Sequence, residues 1–174
     1  MLELRDVLIE RHQAGRPIFG LGPEFEGARW ISQGGADDLV LAHDNPRPDP
    51  GPLVEVGVTR KRYSEDSWVD IHHTMATELM LAERSRNDPA FQAETRDQTV
   101  IERELASVPG PDAWQPALFE IDGAARQVQR FERDGDWVAI YDLGDEWLHI
   151  HVQQPNSRSV AVATIADITP YLRT

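Results

Sequence analysis

Three two-residue turn signals in the C-terminal part of the sequence constrain its fold more than any other feature. Asp122-Gly123, Asp134-Gly135 and Gly144-Asp145 each lie between apolar runs. Tight hairpin turns need residues that tolerate a positive φ, and Asp and Gly are among the few that do. The turns therefore predict a β-meander, with strands at about 117–121, 125–133, 137–143, 147–152 and 160–164.

The N-terminal part gives weaker strand signals. Val54, Val56 and Val58 occupy alternate positions within residues 53–62, and this period of two predicts a half-buried strand. Residues 39–41 are a short apolar run and predict another strand. Residues 15–36 are rich in glycine and predict a loop, with room for a short strand near Trp30.

Helical patterns fill two other stretches of the chain. Residues 2–14 predict a first helix that ends at Gly15. A second helix is predicted from a cap at Ser64 or Asp66 to about Arg86. Its apolar residues recur at spacings of three and four and predict one buried stripe. The stripe consists of Trp68, Ile71, Met75, Leu79 and Ala82.

A third helix follows after a short break. Asp88 is placed to cap it and Pro89 to be its first residue, and it is predicted to run to about Ser107. Because so few residues separate the second and third helices, we expect an antiparallel helical hairpin.

Together these patterns predict an α+β fold. A helical hairpin and an N-terminal helix pack on a mainly antiparallel sheet with a C-terminal β-meander. Residues 1–174 are predicted to form a single domain, because the strands of the helical half need partners from the other half. The chain could divide weakly near residues 108–116, where Pro109-Gly110-Pro111 breaks the pattern.

The charge of the chain bears on its partners and location. Thirty acidic residues against 17 basic ones give a net charge of -13. This field opposes binding to nucleic acid or an anionic membrane and favours a basic protein as partner. No run of ~18 apolar residues exists, and the N-terminus is charged, so we expect a cytoplasmic protein. Sixteen arginines against one lysine are typical of a GC-rich bacterial genome.

The best candidate for chemistry is a histidine pair near the end of the meander. His149 and His151 are two residues apart on a predicted strand, so both imidazoles point to the same face. Such a pair supplies two of the three or four ligands of a zinc site. A third ligand would come from Asp142, His72 or His73. The alternative is two histidines, exposed or covered by a helix, that hold no metal.

Three aromatic residues mark a candidate partner surface. Phe19, Phe25 and Trp30 lie in the glycine-rich predicted loop, and exposed aromatic side chains on loops often anchor partners. The alternative is that these rings close one end of the core.

No catalytic or cofactor motif is present, and the lack of cysteine excludes thiol catalysis, disulfides and cysteine-ligated zinc. Three hypotheses remain open, and the first, which is not an enzyme, is favoured. It is an acidic adaptor that binds a basic protein, as an inhibitor, an immunity-type protein or a chaperone does. The second is a metal-binding protein or metal-dependent enzyme centred on the histidine pair. The third is a small-ligand sensor with a pocket between the helical hairpin and the sheet.

Overall fold

The computed structural model describes residues 4–21, 28–32, 38–43, 54–61, 67–88, 90–91, 97–152, 161–169 and 172. In these residues the fold is α+β. The helices are α1 (Leu4–Gln13), α2 (Ser67–Asn87) and α3 (Gln98–Leu105), followed by a short 3-10 helix at Pro111–Ala113. Among the described helices, none combines the length and the apolar character that a membrane crossing requires.

All described strands belong to one sheet. Its order is β1-β9-β5-β6-β7-β8-β4-β3-β2, and the pairs are antiparallel except for the parallel contact between β5 and β9. The strands are β1 (Phe19–Leu21), β2 (Ala28–Ser32), β3 (Asp38–His43), β4 (Val54–Arg60), β5 (Gln115–Ile121), β6 (Ala124–Arg133), β7 (Asp136–Asp142), β8 (Glu146–Val152) and β9 (Val162–Thr164).

The turns of the meander use the residues that the sequence singles out. Asp122 and Asp134 have φ values of 52° and 51°, and the glycine after each is also in the left-handed region. Asp tolerates this region because its short side chain can bond locally, and Gly because it has no Cβ. Strands β5 to β8 therefore lie at the predicted places, joined by tight turns.

Two predicted boundaries are wrong. Phe19 lies in β1, where a loop was predicted, whereas the short strand predicted near Trp30 is present as β2. The third helix does not run unbroken from Pro89 to about Ser107, because Asp97 is extended and caps α3 by accepting a hydrogen bond from the Thr99 N–H. An Asp side chain competes for backbone N–H groups in this way and so begins a new helix. Residues 92–96 lie outside the described part, so the helical hairpin stays a prediction.

Helix α2 packs across the centre of the sheet, where β7 and β8 lie. Its apolar stripe of Ile71, Met75 and Leu79 contacts Val138 and Ile140 of β7. The opposite face of the sheet buries its own cluster. That cluster includes Val54, Val56, Val58, Trp137, Leu148 and Ile150. The central strands are therefore apolar on both faces, and polar side chains on the α2 side stand out.

Helix α1 is tied to the sheet by a buried ion pair. The Arg11 side chain is 0% exposed, and its Nη2 donates to both oxygens of Glu146 at 3.1 and 2.9 Å and to the Pro17 carbonyl at 2.7 Å. Arg16 makes a second, half-buried pair with the same carboxylate. A charge this deeply buried is tolerated only when it is paired and hydrogen-bonded, so the pair fixes where α1 docks.

Candidate functional site

The polar side chains that face α2 come from two adjacent strands. On β4 the valines point to one side of the sheet, so Glu55, Gly57 and Thr59 point to the other. On β8 the alternation places His149 and His151 on that same side, since the register pairs Glu55 with His151 and Gly57 with His149. The sheet therefore brings the two predicted histidines beside a carboxylate from β4.

His151 is buried without a complete set of hydrogen bonds. The residue is 2% exposed, and its Nε2 finds no hydrogen-bond partner among the described residues. Its Nδ1 lies 3.8 Å from Glu55 Oε2, which is too long for a hydrogen bond. Leaving a buried polar atom unpartnered costs about 1–3 kcal/mol, so His151 makes no hydrogen bond that accounts for its burial.

A second carboxylate reaches the same place from α2. Glu55, Glu78 and His151 offer one ligand atom each, and these atoms lie within 4.8 Å of one another. Burial raises the pKa of Glu78, the charge of Glu55 raises it further, and His151 acts in the opposite direction. Two carboxylates held together away from water repel each other, and a cation between them would remove that repulsion.

The cluster fits a divalent ion in size and in chemistry. Ligand atoms bound to zinc at 2.0–2.2 Å in a tetrahedron lie about 3.3–3.6 Å apart. His151 Nδ1 and Glu55 Oε2 are 3.8 Å apart, close to that spacing, and the three donor atoms lie within 4.8 Å of one another. Two carboxylate oxygens and one imidazole nitrogen form a mixed donor set, which suits Zn²⁺ and neighbouring first-row ions.

His149 lies beside the cluster in a different environment. Its Nε2 is 2.9 Å from Thr59 Oγ1, and burial lowers its pKa to about 4, so the ring is neutral at pH 7. A Cβ added at Gly57 would lie 2.1 Å from His149 Cε1. The imidazole thus occupies the space that only a glycine leaves open on β4.

A cavity of about 780 Å³ opens next to the cluster, between α2 and the sheet. Glu78 and His149 are both part of its lining, and Trp147 forms another part. Trp147 packs against Trp68, and the centroids of their rings are 6.0 Å apart. Trp68 also packs against Trp114, with a distance of 5.7 Å between the ring centroids. The cluster therefore has a roomy, partly aromatic space on one side.

None of the three third ligands suggested by sequence belongs to this cluster. Asp142 lies at the exposed end of β7 and pairs with Lys61. His72 is buried and lies near enough to donate from Nδ1 to the Trp68 carbonyl, 3.2 Å away. His73 is exposed and lines the cavity, outside the cluster. The structure brings Glu55 and Glu78 to His151 instead.

The aromatic residues of the predicted partner surface are distributed differently from expectation. Phe19 is 5% exposed and packs in the main core, in line with the alternative that these rings close the core. Its position on a strand next to β9 explains the burial. Phe25 lies outside the described residues. Trp30 lies on β2, and its side chain also lies outside them. The basic partner rests on the net charge alone and stays a prediction.

Comparisons with protein-family models, curated proteins and solved structures find no match for this chain.

Proposed function

We propose that the protein binds a divalent transition-metal ion, with Zn²⁺ the first to test, through Glu55, Glu78 and His151. The observation that carries this proposal is the buried His151 imidazole, whose Nδ1 lies 3.8 Å from Glu55 Oε2 without a hydrogen bond and which shares a cluster of three potential ligand atoms with Glu55 and Glu78. A bound cation accepts the lone pair of the His151 nitrogen that faces Glu55 and neutralises the two carboxylates.

The donor set supports a metal more than a purely polar network. In a network of hydrogen bonds, His151 would donate to Glu55, but the atoms are 3.8 Å apart. A hydrogen bond between the Glu55 and Glu78 carboxyl groups would require a proton on Glu78. The pKa of Glu78 is raised by burial and by repulsion from Glu55, and not by such a hydrogen bond. Among the described residues, the one positive charge that acts on Glu78 is that of His151, and it is present only when the ring is protonated. A divalent ion supplies that charge.

Three protein ligands leave positions open on the ion. Structural zinc sites are closed by four protein ligands, whereas catalytic sites keep three and leave one position for water or substrate. The cavity that Glu78 lines gives small molecules access to the cluster. The proposed ion is therefore of the type that binds a molecule from solution, and it is not required to stabilise the fold.

The proposal is tested by calorimetric titration of Zn²⁺ into chelator-stripped protein. Glu78→Gln keeps the size of the side chain and removes a ligand charge, and it should weaken zinc binding by more than about tenfold. Glu83→Gln, on the same helix and outside the cluster, should bind zinc as the parent does. Equal affinities in the two variants, or no heat in the parent, would overturn the proposal.

The same variants separate metal binding from folding. Glu78 is partly buried beside a like charge, so Glu78→Gln should leave the metal-free protein at least as stable as the parent. Zinc at 100 times its dissociation constant should stabilise the parent by about 2.7 kcal/mol. It should stabilise Glu78→Gln much less at the same concentration.

A further inference from the structure

We infer that the cavity between α2 and the sheet binds a small molecule that has an oxygen-donor head and an apolar, ring-sized body. This inference rests on the proposed metal site and adds the chemical class of the molecule that meets the ion. The head is of the kind found in carboxylates and hydroxamates. The body lies against the apolar wall of the cavity.

The position of Glu78 connects the cluster to the cavity. Glu78 supplies one of the three donor atoms and also lines the cavity. Glu55 and His151 belong to the cluster and are not part of that lining. A molecule in the cavity therefore approaches the ion from the Glu78 side. Oxygen donors suit an ion held by two carboxylates and one imidazole.

The lining of the cavity explains the apolar body. Val40, Ile71 and Met75 contribute buried apolar side chains, and Val108 and Trp147 contribute half-buried ones. A volume of about 780 Å³ lies within the range of small-molecule pockets. Pockets of this kind are lined mainly by apolar and aromatic groups, with few polar groups to orient the ligand. A ring beside Trp147 would gain stacking as well as burial.

The inference is tested by the affinities of benzohydroxamate and acetohydroxamate for the zinc-loaded protein. The two probes share the same oxygen-donor head and differ by a phenyl ring in place of a methyl group. Burying the ring should make benzohydroxamate bind about tenfold tighter or more. Metal-free protein should bind both probes much more weakly than the zinc-loaded protein.

Two variants locate the ring. Val69 and Leu118 are exposed apolar residues, at 43% and 75%, and only Val69 lines the cavity. Val69→Asp lies in the first turn of α2, where an acidic residue is tolerated, and it places a charge in the wall. It should lower the ratio of the two affinities, whereas Leu118→Asp should leave the ratio unchanged.

The outcomes separate this inference from the proposed metal site. If zinc does not bind, both ideas fall. If zinc binds and the two probes bind equally, the metal site stands and the inference is overturned. The inference is also overturned if the ratio of the benzohydroxamate and acetohydroxamate affinities is unchanged in Val69→Asp, or if it falls equally in Leu118→Asp, because the ring then lies outside this cavity. Benzohydroxamate binding that is unchanged by zinc removal rejects the contact with the ion.

Discussion

Replacing Gly57 with alanine should destabilise the protein by roughly 2 kcal/mol. The alanine Cβ would lie 2.1 Å from His149 Cε1, 2.6 Å from Nε2 and 2.9 Å from Nδ1. All three distances are shorter than real Cβ contacts, so the imidazole must move. His149 is buried and lies over Gly57, so its ring can turn only toward the cavity that it lines, and that movement breaks its hydrogen bond with Thr59.

Three contributions set this magnitude. Forcing extra volume into a packed core costs about 1–3 kcal/mol. Moving the ring also loses its hydrogen bond with Thr59, which contributes about 0.5–1.5 kcal/mol. Against these costs, replacing glycine with alanine restricts the unfolded chain and returns about 0.4–1 kcal/mol. The net effect is therefore destabilising, with the steric contribution the largest.

Urea unfolding followed by circular dichroism measures the effect, and a double-mutant cycle shows its cause. Gly110→Ala is the matched control, because a Cβ there meets no atom within 4 Å, and it should change stability by less than about 0.5 kcal/mol. In a His149→Ala background, Gly57→Ala should cost almost nothing. A cost that stays near 2 kcal/mol without the imidazole would refute the packing argument.

Three further predictions test other parts of the structure. Arg11→Met should lower the free energy of unfolding in urea by about 3 kcal/mol, because the buried Glu146 then keeps only the half-buried Arg16 as an ion-pair partner. Arg16→Met should lower it by less than about 1 kcal/mol, and equal losses in the two variants would contradict the burial argument. Burial lowers the pKa of His72, so the unfolded chain binds its proton more readily and stability should fall as the pH drops below about 6.5. Melting curves of His72→Phe should show a smaller loss over this window, and an unchanged pH slope would count against it. Asp97→Ala should lower the free energy of unfolding by about 1 kcal/mol, because it removes the N-cap of α3. Thermal melting measures this change, and an unchanged melting temperature would show that the cap does not stabilise the protein.

The meander could be predicted from the sequence because its determinants are local. Each turn is specified by two adjacent residues, and each strand by a period of two, so the strands β5 to β8 and their register follow from short segments. The register also places His149 opposite Ile140 and His151 opposite Val138, as the turn at Gly144-Asp145 predicts.

The cluster could be predicted only in part, because two of its three residues arrive through long-range contacts. Glu55 reaches His151 through the pairing of β4 with β8, across 96 positions of sequence. No local pattern specifies which strand lies beside β8. Glu78 arrives through the docking of α2, and its own helix offers several other carboxylates, such as Glu83. The histidine pair supplied a local signal, and the carboxylates did not.

The cap of α3 shows how a local signal can be read in two ways. Asp88 and Asp97 are both suitable caps, and Asp88 does accept a hydrogen bond from the Ala90 N–H. The sequence pattern favoured one helix from the first cap. In the structure Asp97 accepts from the Thr99 N–H and starts α3. Competition between side-chain and helical hydrogen bonds decides the boundary, and tertiary packing determines the outcome of that competition.

The most direct test of the central claim is native mass spectrometry of protein purified without chelator and supplied with zinc. The account predicts an added mass of one zinc ion per chain in the parent and in His73→Ala, whose exposed histidine lies outside the cluster. It predicts the bare mass for His151→Ala. A parent that carries no ion, or a His151→Ala variant that keeps the ion, would contradict the claim that this cluster is a metal site.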